Sequence, residues 1–465
     1  MYGELYHMEK FFNPESVAVI GVSPSATNLS KRILLNLKRF GYEGNIFAVG
    51  PHPDEVEGFS PVPSVLDIDE KVDLAIILVP AKNVPKVLEE CGKKDIHAAI
   101  VESGGFGEFA GSELDLEDQM LAICKRYDMR LIGPNCMGVI NRENGLCCPF
   151  VTYVPPLVKG GISVLSQSGG VGMSFALDLS AESVGMNKFI SYGNGLDINE
   201  VDLIDYLGND DSTTVISAYI EGITNGRDFL RVISRQSKPT VILKSNNQRS
   251  AHPVAASHTA VLSGDKDILF SAMKQVGVLS VPNTLVWTNV SKTLTLPLMK
   301  GNRLAILSRS GGHAVLAADA AGEFGFELPQ FKKSFFDSCK QYFEHSVIDL
   351  QNPLDCGQVF YPPVLSHLLE ETLKLDDIDG VVMIYSYNNT EEDLDLAHQF
   401  IGQITPLMEK YDKPVSTVLF TDPGERKFVG ETYRLPSFTT PYHGVQALAY
   451  SRDALRLAER RRPFD

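Results

Sequence analysis

Residues 16–51, SVAVIGVSPSATNLSKRILLNLKRFGYEGNIFAVGP, hold the pattern that decides the fold. SVAVIGVS is a short β-branched run ending in a glycine turn, and LSKRILLNLKRFG carries apolar residues at helical spacing. NIFAVGP is again short and apolar, stopped by glycine and proline. A strand, a helix and a second strand predict a βαβ unit of parallel sheet.

Working outward, the pattern recurs. DLAIILVP (73–80), AAIVESGG (98–105) and RLIGPN (130–135) read as strands, with NVPKVLEECGKKD (83–95) and DLEDQMLAICKRYD (115–128) as helices between them. Such alternation predicts a parallel sheet covered on both faces, with ligands at the carboxyl ends of its strands. A second block of strands runs through GGISVLSQSGG (160–170), KFISYGNG (188–195), TTVISAYIEG (213–222) and PTVILKSN (239–246). A third runs through NRLAILSRSGG (302–312), GVVMIYSYN (380–388) and PVSTVLF (414–420). SVLSQSGGVGMSFALD (163–178) and AILSRSGGHAVLAADA (305–320) share an apolar strand, Ser-x-Ser-Gly-Gly and a helix, which predicts an internal duplication. The expected domains are 1–148, 149–297 and 298–465, joined at YVPPLVKG (153–160) and LTLPLMKGN (294–302).

Composition narrows the function classes. The 465 residues are 44% hydrophobic and 22% charged, and carry a net charge of −16. That acidity argues against nucleic-acid binding, which needs basic patches, but leaves glycine-rich helix starts free to hold phosphate. No apolar run is long enough to span a membrane, and MYGELYHMEKFFNPES has no secretory pattern. Seven scattered cysteines show neither a disulfide framework nor a CxxC metal pattern, which suits a reducing cytoplasm.

Several turns carry chemistry. GVSPSATNLSKR departs from GxGxxG, since Ser23 stands where the second glycine is needed, which weakens a nicotinamide dehydrogenase reading. Gly21, Ser23 and Ser25 suit phosphate at a helix start, or a plain strand-to-helix turn. GPNCMG leaves Asn135 and Cys136 at a strand end, where a ligand-lining role suits Cys136 better than nucleophilic catalysis. SQSGGVG offers Ser168, Gly169 and Gly170 as a phosphate cradle, and SYGNG is a second glycine-rich strand end. YIEGI leaves Glu221 at the end of an apolar strand. SNNQRSAHPVAASHTAVLSGD (245–265) is a loop of small residues holding His252 and His258. A histidine with an orienting acid and an anion cradle is equipment for phosphoryl transfer through phosphohistidine.

These motifs, in the order NPESVAVIGVS, NIFAVGP, AIILVP, SGGFGE, IGPNCMGVIN, ISVLSQSGGVG, SYGN, YIEGI and ASHTA, resemble the α subunit of ADP-forming acetyl-CoA and acyl-CoA synthetases, relatives of succinyl-CoA synthetase. The resemblance implies a Rossmann-like CoA-binding domain followed by two flavodoxin-like, succinyl-CoA synthetase-like domains. It implies CoA contacts at Gly21, Ser23, Ser25, Pro51, Val79, Pro80, Asn135 and Cys136. It further implies phosphorylation of His258, support from Glu221, and phosphate held by Ser168, Gly169 and Gly170. Acyl-CoA and phosphate would give an acyl phosphate, His258 would take the phosphoryl group, and ADP with Mg²⁺ would accept it on an ATP-grasp domain. Only RRPFD follows the third block, so that domain is expected on a separate β subunit in an α2β2 heterotetramer. No metal site is expected on this chain. Two departures stand out: Ala260 replaces the family's usual glycine, and NNQRSAHPVA replaces a glycine-rich approach to the histidine. A non-catalytic CoA-binding sensor or scaffold of the same fold is the alternative.

Overall fold

The computed structural model describes residues 8–106, 114–152, 154–248, 250, 266–339, 351–357, 359, 361–462 and 464. The chain divides into two compact units. One comprises Met1–Leu177, Met186–Val276 and Arg462–Asp465, the other Asp178–Gly185 and Gly277–Arg461.

The first unit holds two sheets. The first is built from β1 (Ser16–Ile20), β2 (Asn45–Val49), β3 (Leu74–Ile77), β4 (Ala98–Val101) and β5 (Arg130–Ile132), in the order β2-β1-β3-β4-β5. Every pairing in it is parallel. Helices α1 (Ser30–Arg39), α2 (Val84–Lys93) and α3 (Leu114–Arg126) follow strands as the sequence predicts. Strand residues alternate in direction, so Ala18, Ile20, Ala75, Ile77, Ala99 and Val101 share one core with Val84, Leu88 and Cys91 of α2 and Met120 of α3. Ile33, Leu34 and Leu37 of α1 are fully buried, each contributing roughly 1.5–3 kcal/mol by leaving water.

The second sheet starts earlier in the chain than its strand-like blocks indicate. β6 (Gly138–Asn141) and β7 (Leu146–Cys147) form an antiparallel hairpin that the sequence reading does not mark. β6 pairs antiparallel with β9 (Met186–Ser191). β8 (Lys159–Ser166), β10 (Val215–Ile220) and β11 (Thr240–Lys244) complete the order β11-β10-β8-β9-β6-β7 in this unit. Between these strands lie α4 (Gly169–Ala181), α5 (Glu200–Asn209) and α6 (Gly226–Arg235), and α7 (Lys266–Gln275) comes later. Asn36 of α1 donates to the carbonyl of Pro149 at 2.7 Å, fixing the passage from β7 toward β8.

The other unit carries β12 (Val278–Val281), α8 (Thr284–Thr293) and a third parallel sheet. That sheet comprises β13 (Leu304–Ser308), β14 (Leu354–Asp355), β15 (Gly380–Ser386), β16 (Val415–Phe420) and β17 (Ser437–Phe438), in the order β14-β13-β15-β16-β17. Its helices include α9 (Gly311–Glu323), α10 (Lys333–Cys339), α11 (Pro362–Lys374), α12 (Glu391–Tyr411), α13 (Pro423–Tyr433) and α14 (Pro441–Arg460). The two Ser-x-Ser-Gly-Gly turns make the same bond. Ser166 Oγ donates to Ser168 O at 2.5 Å, and Ser308 Oγ to Ser310 O at 2.8 Å. At each turn the strand ends three residues before its helix begins. No helix among the described residues is long and apolar enough to cross a membrane.

Candidate active site

The site grows from the end of β8. Ser168 Oγ accepts a long hydrogen bond from Val171 N at 3.4 Å, and Ser168 O accepts one from Gly172 N at 3.0 Å. The chain thus turns directly into α4, whose first N–H groups have no partner within the helix and favour an anion. A Cβ at Gly170 would meet nothing within 4 Å, whereas one at Gly169 would lie 2.7 Å from Met137 Cγ. The helix start therefore has one open side and one packed side.

Gln167 ties this turn to the end of β10. Its Oε1 accepts from the backbone N–H groups of Glu221 at 2.8 Å and Gly222 at 3.2 Å. Glu221 is 8% exposed, and its carboxylate accepts from Tyr219 OH at 3.1 Å. Lys244 Nζ donates to the carbonyl of Glu221 at 2.7 Å. Burial lowers the Lys244 pKa to about 8, against the opposing pull of Glu221. Glu221 is held at its backbone by two neighbouring strand ends and at its carboxylate by Tyr219.

The GPNC turn supplies the opposite wall. Asn135 sits in the left-handed region at φ 58°, and its N–H donates to Ser103 O at 2.9 Å. Cys136 is buried, its Sγ 3.4 Å from Val101 O. Burial, reinforced by nearby Glu102, pushes the Cys136 thiol far above its usual range, so it is no ready nucleophile. The SYGNG turn closes onto this one. Gly193, at φ 58°, would place a Cβ 2.2 Å from Pro134 O and 2.3 Å from Asn135 O. Only glycine allows that approach. Asn194 N then donates to Pro134 O at 3.0 Å, and Leu196 N to Gly133 O at 3.0 Å.

These turns enclose a cavity of about 190 Å³. Of the residues singled out in the sequence, Asn135, Cys136, Ser168, Gly169, Gly170 and Glu221 all line it. Gly21, Ser23, Ser25, Pro51, Val79 and Pro80 do not, although they follow β1, β2 and β3 at the same carboxyl edge as Asn135. Gly21 is required where it stands: with φ 101°, its Cβ would fall 2.3 Å from Leu78 O. Asn28 steadies that turn by donating to Gly21 O at 2.8 Å and accepting from Lys31 N at 2.8 Å. Ser25 is exposed, its Oγ 3.1 Å from Thr27 Oγ1. Val79 N donates to Ser103 Oγ at 3.1 Å, and Pro51 and Pro80 are exposed. His252, His258 and Ala260 lie outside the described residues.

The cavity is also lined by Gly193 and Asn194 of the SYGNG turn that the sequence marks, and by Glu102, Met137, Phe150 and Gln167, to which the sequence reading gives no role. The available signal for Glu102 was its place at the end of β4, in the position that Glu221 occupies after β10.

Comparison with known proteins decides the family. The model described as a CoA binding domain matches residues 15–142, and that of a succinyl-CoA ligase like flavodoxin domain matches residues 159–294. The chain is 31% identical over 454 residues to the ADP-forming acetate–CoA ligase I subunit alpha of Pyrococcus furiosus, covering 95% of this chain and 96% of that one. This chain belongs to the ADP-forming acetate–CoA ligase family. Its likeness extends to the ADP-forming acetate–CoA ligase I of Archaeoglobus fulgidus, 35% identical over 444 residues. That match covers 95% of this chain but 63% of the relative's length, and two further family members are covered over only 50% and 56% of theirs. Among solved structures, the dinucleotide forming acetyl-coenzyme A synthetase 1 of Ca. Korarchaeum cryptofilum, in complex with phosphate and ADP, superposes with a TM-score of 0.87. It is 29% identical, and the match covers 97% of this chain and 98% of that one. The α/β class and the succession of a CoA-binding and a succinyl-CoA ligase-like domain, expected from the sequence, are those of this ligase family.

Proposed function

We propose that this chain is the CoA-binding α component of an ADP-forming acyl-CoA synthetase, interconverting acyl-CoA, ADP and phosphate with a carboxylic acid, ATP and CoA. The observation that carries the reading is the single cavity shared by the α4 start, Glu221 and the GPNC turn. An anion cradle, a carboxylate and a wall for a thiol arm lie together there.

In this reading residues 1–148 bind CoA, with Gly21, Ser23 and Ser25 toward its phosphates, Pro51, Val79 and Pro80 toward its adenine, and Asn135 and Cys136 toward the thiol. Residues 149–297 carry the transfer loop, and 298–465 form the third domain. Ser168, Gly169 and Gly170 hold phosphate, with Gly170 leaving the open side through which it enters. Phosphate attacks the thioester carbonyl, CoA leaves as the thiol, and an acyl phosphate forms. The imidazole of His258 attacks phosphorus, the carboxylate departs, and Glu221 steadies the imidazole through its second ring nitrogen. The loop then delivers the phosphoryl group to ADP, which together with Mg²⁺ belongs to an ATP-grasp β subunit in an α2β2 assembly. The Pyrococcus relatives named as alpha subunits support a separate partner of that kind. Seven buried free cysteines suit a reducing cytoplasm.

The test combines the chain with an ATP-grasp β subunit, Mg²⁺ and ATP labelled at its γ-phosphate. Label is expected on the wild type and not on His258→Ala. Equal labelling of both removes His258 from the mechanism, and CoA binding without any labelling favours the sensor.

A further inference from the structure

Two acids line the cavity among the described residues, Glu102 and Glu221. Glu102 is sealed: both its carboxyl oxygens are buried, and a Cβ on Gly138 would stand 2.8 Å from its Oε1. That leaves Glu221 as the acid to meet a ligand, and its neighbours decide how its carboxylate is presented. Glu221 stands two residues after Tyr219 at the end of β10, so in extended backbone both side chains leave on one face. Tyr219 is buried, and its hydroxyl lies 3.1 Å from Glu221 Oε1 and 3.0 Å from Ser245 Oγ.

A phenol has one proton to give. An ionised carboxylate only accepts, so that proton goes to Glu221, and the serine hydroxyl donates to the phenol oxygen in turn. The result is a chain of two hydrogen bonds running from Ser245 through Tyr219 to Glu221. Ser245 is the first residue after β11 and heads the stretch of sequence that carries His258. The backbone repeats the link, since Lys244 Nζ donates to the carbonyl of Glu221 at 2.7 Å and to that of Ser245 at 2.5 Å. The lysine thus holds the main chain of the same two residues whose side chains the tyrosine joins. A carboxylate accepts at both oxygens, so Glu221 can take an imidazole N–H on Oε2 without giving up Tyr219 on Oε1.

We propose that Tyr219 is a positioning residue of the phosphoryl-transfer site: its hydroxyl fixes the Glu221 carboxylate and ties it to Ser245. The inference rests on the reading of Glu221 as the partner of the His258 imidazole.

The test assembles the full chain with an ATP-grasp β subunit, Mg²⁺ and γ-labelled ATP, and times the label entering the protein as ATP is varied. Tyr219→Phe keeps the ring and loses only the hydroxyl. Its labelling rate at saturating ATP is expected to fall about tenfold or more, the usual worth of a hydrogen bond to an ionised group. The KM for ATP, and the CoA affinity measured by calorimetry, are expected to stay at their wild-type values. Glu221→Asp draws the carboxylate away from the hydroxyl but leaves an acid in the site. In that background Tyr219→Phe is expected to cost nothing more, because two residues that act through one contact do not add.

A wild-type labelling rate in Tyr219→Phe overturns the proposal, and so does an undiminished further fall in the Glu221→Asp background. A slower rate accompanied by lost CoA affinity or a raised KM marks a merely structural tyrosine and overturns it as well. Should Tyr219→Phe not fold, Ser245→Ala cuts the same chain at its other end. A slower rate at unchanged KM then supports the link, and a wild-type rate breaks it. If the wild type labels, His258→Ala does not, and Tyr219→Phe labels as fast as the wild type, only this inference falls. If the wild type takes no label, or His258→Ala takes as much, the phosphohistidine reading falls and the inference goes with it.

Discussion

The side-chain carbonyl of Gln167 accepts the backbone N–H of Glu221 at 2.8 Å, joining the end of β8 to the end of β10. The same oxygen takes the N–H of Gly222, so one buried residue satisfies two donors that the sheet ladder cannot reach. Gln167→Leu is close in size but has no acceptor. Leaving buried N–H groups unpaired costs about 1–3 kcal/mol each, so this variant is expected to lose about 2–4 kcal/mol in urea unfolding. Its phosphate affinity should fall further than its stability, because Glu221 and the α4 start lose their common register. Unchanged unfolding would show that the two donors find another partner.

Gly193→Ala tests the contact between two loops. The added methyl meets Pro134 O and Asn135 O at 2.2 and 2.3 Å, and the residue must keep φ at 58°. Relief requires the SYGNG and GPNC turns to separate. A loss of about 2 kcal/mol or more is expected, with CoA affinity reduced at least about tenfold. A variant that melts and binds like the wild type would place the thiol arm elsewhere.

Gly21→Ala probes the first turn in the same way. Its methyl would fall 2.3 Å from Leu78 O at φ 101°, so β1 and β3 must part at their carboxyl ends. The expected result is weaker CoA binding with the cavity around Ser168 intact. Phosphate affinity measured on the same variant should stay near the wild-type value.

Asp210 sets an acid limit on stability. Burial opposes its ionisation, but hydrogen bonds from Lys188, Ser212 and Thr213 outweigh this and bring its pKa down to about 2. Its partner Lys188 has a side chain 3% exposed, at 2.7 Å. A carboxylate whose pKa is depressed on folding contributes stability that is fully present above its unfolded pKa of about 3.9. That contribution is lost as pH falls through about 2. Asp210→Asn leaves Lys188 buried without a counter-charge and should cost about 3 kcal/mol at pH 7. The difference between variant and wild type should narrow as the pH is lowered from 4 to 2, which urea titrations at several pH values would reveal.

Much of this was legible because parallel strands announce themselves. β1, β3, β4, β10, β13 and β15 are apolar runs buried along almost their whole length, and such runs need no partner to be recognised. The cradle was legible for a similar reason, since Ser-x-Ser-Gly-Gly between a strand and a helix leaves few local geometries. What stayed hidden depends on distant pairing. β6 and β7 are four and two residues long, and their hairpin joins the sheet only through β9, some fifty residues on. Glu102 and Gln167 look like surface polar residues at strand ends. Only the packing of Gly138 on one and of two backbone donors on the other reveals that water does not reach them.

The hairpin that leaves the first sheet also acts as a stitch. Any attempt to isolate the middle α/β layer by cutting the polypeptide after Cys148 would strip β9 of its outer neighbour and bare a row of backbone donors and acceptors. Such a fragment would look for a replacement strand in its own copies and precipitate as it did so.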